Sequence, residues 1–239
     1  MVKKKRGIIL NSIDYKENHK IIYILTESGK ESFLVMRAKR IKEGLLTDTQ
    51  NLTNIEFEID EKTSLPKAKN IEVLNHYNEI KNDLKKYTIA SYALELIYRM
   101  VEDYEHSEIL YRLLNEFLNK LATRSDERVL LLQFRIKMLF FLGIQPQFKM
   151  CCHCGNTDQL VGLSIAFGSM ECVNHASSDN IGISATKIID LLYRDKTLSI
   201  TIEDESVVDT LSKIIDSYYE KQDYYGLKSK IMLEKLGCY

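Results

Sequence analysis

Four residues in two pairs carry the most specific chemistry in this chain: Cys151 and Cys154, then, after seventeen intervening residues, Cys172 and His175. Two soft ligands set two residues apart can grip one ion from a single turn, and two such pairs complete a tetrahedron. Four N/S ligands fill the coordination sphere of zinc and leave no open position for water. The pattern therefore predicts one structural Zn2+ per chain and not a catalytic metal. Gly155 directly follows the first pair, where the turn often needs positive φ. Cys152 and His153 are rivals within that pair. Cys152 with Cys154 would make C-x-C, the poorer geometry, which favours Cys151. The second pair is the less specific half, because Asn174 and His175 lie in a polar stretch. The plain alternative is a set of small apolar side chains plus a surface histidine, but four of the five cysteines fall inside this one segment.

A second kind of chemistry is electrostatic. The net charge is −1 over 239 residues, so the chain as a whole is not a basic nucleic-acid binder. The distribution is uneven: residues 1–70 carry +4, residues 71–150 carry 0 and residues 151–239 carry −5, with +6 in residues 1–44. Lys3-Lys4-Lys5-Arg6 leads into the first apolar run, and Arg37, Lys39, Arg40 and Lys42 follow the third. Cations at the rim of a small barrel neutralise phosphates, and aromatic side chains on its face stack bases. Lys5, Arg6, Arg37, Lys39, Arg40 and Lys42 are the candidate nucleic-acid contacts. Tyr15, Tyr23 and Phe33 are the candidate stackers, with core packing the alternative for Tyr23 and Phe33. There is no nucleophile elbow, phosphate loop, dinucleotide fingerprint or HExxH pair, so no enzyme activity is expected.

The elements that must position these residues fall into an α+β order. Gly7–Leu10, Lys20–Thr26, Glu31–Ala38, Asn54–Ile59 and Asn70–Tyr77 read as five short strands, the fourth by strict polar–apolar alternation. Closing such a set into a barrel removes its exposed edges. From about Glu79 the period becomes helical, with stripes through Leu84–Val101, Ile109–Leu121 and a third helix ending at Gly143. Ser107 is the expected cap of the second of these. Helical pattern resumes at Ser184, again from Val207 to Tyr218, and again from Leu227 to Leu236. The expected division is 1–77 as a small β-barrel, 78–146 with 182–239 as a helical domain, and 147–181 as an embedded zinc module. Cysteines gathered at a metal site suit a reducing cytosol. No secretory signal is evident, and no apolar run approaches a membrane span.

Four stretches also resemble one family, the bacterial recombination-repair proteins of the RecO type. These are Gly7–Leu10 with Tyr15–Ile22 and Leu25–Lys30; Arg37–Lys42; Phe134–Leu139 with Leu142–Pro146 and Cys151–Gly155; and Tyr225–Lys230. Their order and spacing cover nearly the whole chain. The chain departs from the family in lacking a glycine before Arg37 and in placing Glu43-Gly44 where a basic residue and a serine are common. The resemblance implies an OB barrel, a helical domain and a zinc module. It further implies binding to single- and double-stranded DNA, annealing of complementary strands, and work with RecR to load RecA onto DNA coated by single-stranded-DNA-binding protein, whose C-terminal tail is an expected partner. A cytoplasmic, nucleoid-associated protein is expected. Two competing functions are a zinc-containing RNA or transcription accessory factor, separable by DNA preference and annealing, and a zinc hydrolase, which would need an open coordination position.

Overall fold

The computed structural model describes residues 3–40, 45–60, 65–102, 105–221 and 226–237. The chain divides into two compact units, 1–124 and 125–239.

In the first unit five strands close into a barrel in the order β1-β2-β3-β5-β4: β1 Lys3–Tyr15, β2 His19–Thr26, β3 Gly29–Val35, β4 Asn54–Asp60 and β5 Lys67–Asn75. This is the OB-type barrel. One long strand serves two neighbours. The first part of β1 pairs with β4, from Lys3↔Ile59 to Ile8↔Asn54, while Gly7 to Tyr15 pair with β2, across a bulge between Ile9 and Asn11. Bulges bend and twist a strand, which is what closure needs. Gly7 sits where the chain crowds itself: a Cβ there would lie 2.7 Å from both Ile24 Cγ1 and Leu25 O. Closure is completed by a short parallel contact, Leu34↔Lys67, with the Leu34 N–H donating to Pro66 O at 2.9 Å. Alternate residues fill the interior: Ile9, Ile22, Ile24, Phe33, Val35, Ile55 and Phe57 are buried together. Phe33 and Phe57 meet edge to face at 4.9 Å between centroids.

Three described helices complete this unit after the single turn α1, Leu45–Asp48: α2 Asn78–Lys81, α3 Leu84–Met100 and α4 Ser107–Thr123. Asp83 caps α3, accepting from the N–H groups of Lys85 and Lys86. Helix α3 packs on β1, and α4 on β2 and β3. Lys30 donates from the barrel to the carbonyls of Ile97 and Tyr98 near the end of α3, where the helix dipole favours a cation. Ser107 is not a cap. It is the first residue of α4 and only 3% exposed, and His106 takes the cap position without a side-chain bond.

The second unit is built around α5, Glu127–Phe141, which is buried on nearly every side. It packs with α6, Gly182–Arg194, and α7, Glu205–Lys221; α8 spans Lys228–Lys235. Arg135 on α5, 1% exposed, pairs with Asp216 on α7 at 2.8 Å, and Lys230 on α8 reaches the same carboxylate at 2.9 Å. A three-stranded sheet lies between α5 and α6 in sequence: β6 Gln147–Cys151, β7 Leu160–Ser164 and β8 Ser169–Cys172, in the order β6-β8-β7. No described helix is long and apolar enough to cross a membrane.

Candidate metal centre and nucleic-acid face

Each ligand pair hangs from the end of a strand. Cys151 closes β6, and the turn behind it is held by the Gly155 N–H donating to Cys151 O at 2.9 Å, with Gly155 at φ +70°. Cys172 closes β8, and the His175 N–H donates to Cys172 O at 2.9 Å. Because β6 and β8 are neighbours, the two strand ends bring the turns together. Cys151, Cys154, Cys172 and His175 place their Sγ and Nδ1 atoms all within 4.8 Å of one another. The Cys154–Cys172 edge is 3.8 Å, and His175 Nδ1 lies 3.8 Å from Cys151 Sγ and 3.2 Å from Cys172 Sγ. A regular tetrahedron with zinc-like bonds of about 2.3 Å to sulfur and about 2.05 Å to nitrogen has edges near 3.8 Å for S···S and near 3.6 Å for S···N. The donor set fits a metal ion in both number and size.

The thiol electrostatics agree with that fit. Burial pushes the Cys151 thiol up, but the backbone N–H groups of His153, Cys154 and Cys172 outweigh it and bring it down to about 6. The Asn156 N–H pulls the Cys154 thiol down, yet burial and crowding by Cys151 and Cys172 leave it raised. Three thiols crowd a space with room for little negative charge, an arrangement that a dication relieves.

One neighbour is absent from the sequence reading. Glu171 is fully buried beside Cys172. Its carboxylate accepts from the Ser177 N–H and Oγ and from Asn180 Nδ2 at 2.8–3.0 Å, and lies 3.4 Å from His153 Nε2. Burial pushes this carboxyl up, and the bonds from Asn180 and Ser177 outweigh it and hold it below the usual range. Glu171 thereby ties the stretch after His175 back onto β8. Cys152 and His153 lie near Glu171 rather than in the four-ligand group, which separates the rivals of the first pair.

The candidate basic residues sort into two places, at the two ends of β1. At the start of β1, Lys5 is bound to both Glu31 oxygens at 2.6 and 2.7 Å, and Arg6 Nε donates to Glu56 at 2.7 Å. The Arg6 guanidinium holds the Glu56 carboxyl low. Here Lys4, Lys5, Arg6, Glu27 and Glu56 line a cavity of about 440 Å3 of mixed charge. At the other end, the chain leaving β3 makes a turn in which the Arg40 N–H donates to Arg37 O at 3.0 Å. Arg37 has φ +58°, and its N–H donates to His19 Nδ1 at 2.9 Å. The Lys39 N–H donates to Asn18 O at 3.2 Å, and Lys39 Nζ pairs with Asp14 at 2.7 Å, which holds the Asp14 carboxyl below its usual range. Lys42 lies outside the described residues.

The candidate stackers separate by exposure. Tyr15 is 37% exposed at the same end as the Arg37 turn, with the Lys16 ammonium 5.3 Å from its ring centroid. Phe33 belongs to the barrel core, and Tyr23 packs edge to face on Tyr98 of α3 at 5.2 Å.

Family models match in two consecutive blocks: the N-terminal region of recombination protein O over residues 1–77 and its C-terminal region over residues 81–231. Among curated proteins, the DNA repair protein RecO of Bacillus cereus (strain AH187) is 29% identical, aligned over 99% of this chain and 98% of its own. That of Halalkalibacterium halodurans is 30% identical over 99% of this chain and 96% of its own. With both regions matched in order, the barrel in place and the four-ligand group between the helices, the chain belongs to the RecO family of DNA repair proteins.

Proposed function

We propose that this chain is a non-catalytic mediator of DNA repair. It binds single- and double-stranded DNA, anneals complementary strands, and with RecR helps load RecA onto DNA covered by single-stranded-DNA-binding protein, whose C-terminal tail it engages. The supporting observation is the family membership across the whole chain, joined to a closed barrel whose one end gathers Lys16, Lys20, Arg37, Lys39 and Arg40. Annealing by such a surface is physical: cations screen the repulsion between two phosphate backbones, and base pairing supplies the free energy. Phosphate contacts carry no sequence information, so binding is salt-sensitive and tolerant of sequence.

In this reading Arg37, Lys39, Arg40 and Lys42 form the working DNA face. Lys5 and Arg6 support it from the start of β1, where Glu31 and Glu56 engage them, as Asp14 engages Lys39 in the turn. One Zn2+ held by Cys151, Cys154, Cys172 and His175 staples the inserted module 147–181, between the helical segments 78–146 and 182–239. The protein works in the bacterial cytoplasm, on the nucleoid. The test is strand annealing on DNA coated with single-stranded-DNA-binding protein, with and without RecR. Acceleration over the uncatalysed rate supports the proposal, and an unchanged rate in both arms overturns it.

A further inference from the structure

We propose that His19 is a positioning residue: its imidazole holds the Arg37–Arg40 turn in the backbone conformation that presents the turn's cations to a phosphate backbone. The inference rests on the reading that this turn binds DNA.

Arg37 is an unusual residue to find at φ +58°. A left-handed conformation crowds the Cβ of any residue but glycine, so it persists only where the surroundings impose it. Here they do so from one direction. The end of the β1–β2 hairpin supplies three bonds to the turn after β3: His19 Nδ1 accepts from the Arg37 N–H, Asn18 O from the Lys39 N–H, and Asp14 from Lys39 Nζ. Ala38, fully buried in the barrel core, sits between the two tethered residues. Beside it Arg37 is exposed, while Lys39 is half-buried against Asp14. Of these three, the His19 bond is made to the strained residue, and it comes from a side chain. The sequence at position 19 therefore decides whether the turn is preset or must be ordered when DNA arrives, an ordering that weakens binding.

Asparagine separates this role from bulk, because its Oδ1 occupies the place of the imidazole Nδ1 and accepts the same N–H. The experiment compares full-length wild type, His19→Asn, His19→Leu and the triple variant Arg37→Ala/Lys39→Ala/Arg40→Ala. Two readouts are used. Hydrogen exchange at the Arg37 amide reports the bond without DNA. Fluorescence anisotropy with a labelled oligothymidylate between 50 and 200 mM NaCl reports affinity and its salt slope. His19→Asn is expected to keep both the amide protection and the slope. His19→Leu is expected to lose the protection while the β1–β4 amides stay protected. Its salt slope falls by about 0.7, one single-strand phosphate contact, so the wild-type advantage shrinks about 2.6-fold across that salt range. An Arg37 amide still protected in His19→Leu overturns the inference, as does a His19→Asn protein as impaired as His19→Leu. If amide protection behaves as expected but the triple variant binds like wild type, the DNA reading of this face is what fails.

Discussion

Replacing Cys154 by serine is expected to remove the metal and about 3 kcal/mol of folding free energy from the second unit. The size follows from the chain path. Cys154 and Cys172 belong to different ligand pairs, with sulfurs 3.8 Å apart and seventeen residues between them. An ion bridging them closes that loop in the way a covalent cross-link would. The chain entropy of closing a loop of this length is about 3 kcal/mol at 25 °C. Other support is thin, since the flanking strands have only five, five and four residues. A typical domain has about 5–15 kcal/mol in all, so the loss is severe. Serine keeps the side chain's size, so no cavity confuses the result. The assay pairs metal content of protein prepared without chelator with denaturant unfolding and hydrogen exchange. The amides of β6–β8 are expected to lose protection while those of β1–β5 keep it, and chelation of the wild type should reproduce the pattern. Cys152→Ser, a neighbouring thiol outside the group, should change neither readout. The reasoning is refuted if Cys154→Ser retains one zinc per chain and unfolds within about 0.5 kcal/mol of wild type.

Four further outcomes are expected. Replacing Arg37, Lys39 and Arg40 together by alanine lowers the salt slope of DNA binding by about 0.7–0.9 per lost contact, measured by anisotropy on single- and double-stranded probes. Phe33→Ala destabilises the barrel by about 3–5 kcal/mol in urea unfolding, whereas Tyr15→Ala leaves stability unchanged and weakens single-strand binding by about 1–3 kcal/mol. Gly168→Ala costs about 2–3 kcal/mol of thermal stability, because Gly168 has φ +60° and a Cβ would lie 2.3 Å from the Tyr218 hydroxyl, which donates to Ile144 O at 2.7 Å. Burial pushes the Asp195 carboxyl up, but the N–H groups of Thr197, Ser199 and Ile200 prevail and bring it down to about 2. Its stabilisation is therefore complete above about pH 4 and lost as pH falls toward 2, and Asp195→Asn should flatten that part of an acid-unfolding curve.

Much of the fold was legible because local pattern and global structure agree. The alternation in Asn54–Ile59 is a half-buried strand, β4, and the repeat from Leu84 to Val101 is α3. The two Cys/His pairs were legible because a two-residue spacing lets both side chains face one point, and the four do gather within 4.8 Å. What escaped has specific causes. Only Gly7–Leu10 of β1 stood out, because the strand changes partner midway and its bulge interrupts the alternation. Strand β7 was hidden by Gly162, a poor strand former that is required where a Cβ would strike Asn180 Oδ1 at 2.2 Å. Tyr15, Tyr23 and Phe33 are equivalent as residue types, and only the packing of Phe57 and Tyr98 tells them apart. Glu171 and His19 act through bonds to residues made neighbours by folding, and single residues in a sequence carry no sign of that.

The two-partner design of β1 also has a consequence in time. Its first residues, Lys3 to Ile8, pair with Asn54 to Ile59, about fifty residues downstream. At roughly 5–20 residues per second, a ribosome needs several seconds to deliver that partner. A β1–β2 hairpin formed in that interval would carry an open strand edge, the geometry through which two copies can join. Lys4, Lys5 and Arg6 lie on that edge, so two nascent copies repel one another there. When β4 arrives, Glu56 takes Lys4 and Arg6 into ion pairs. Charges that first keep newborn chains apart then become part of the closure of the finished barrel.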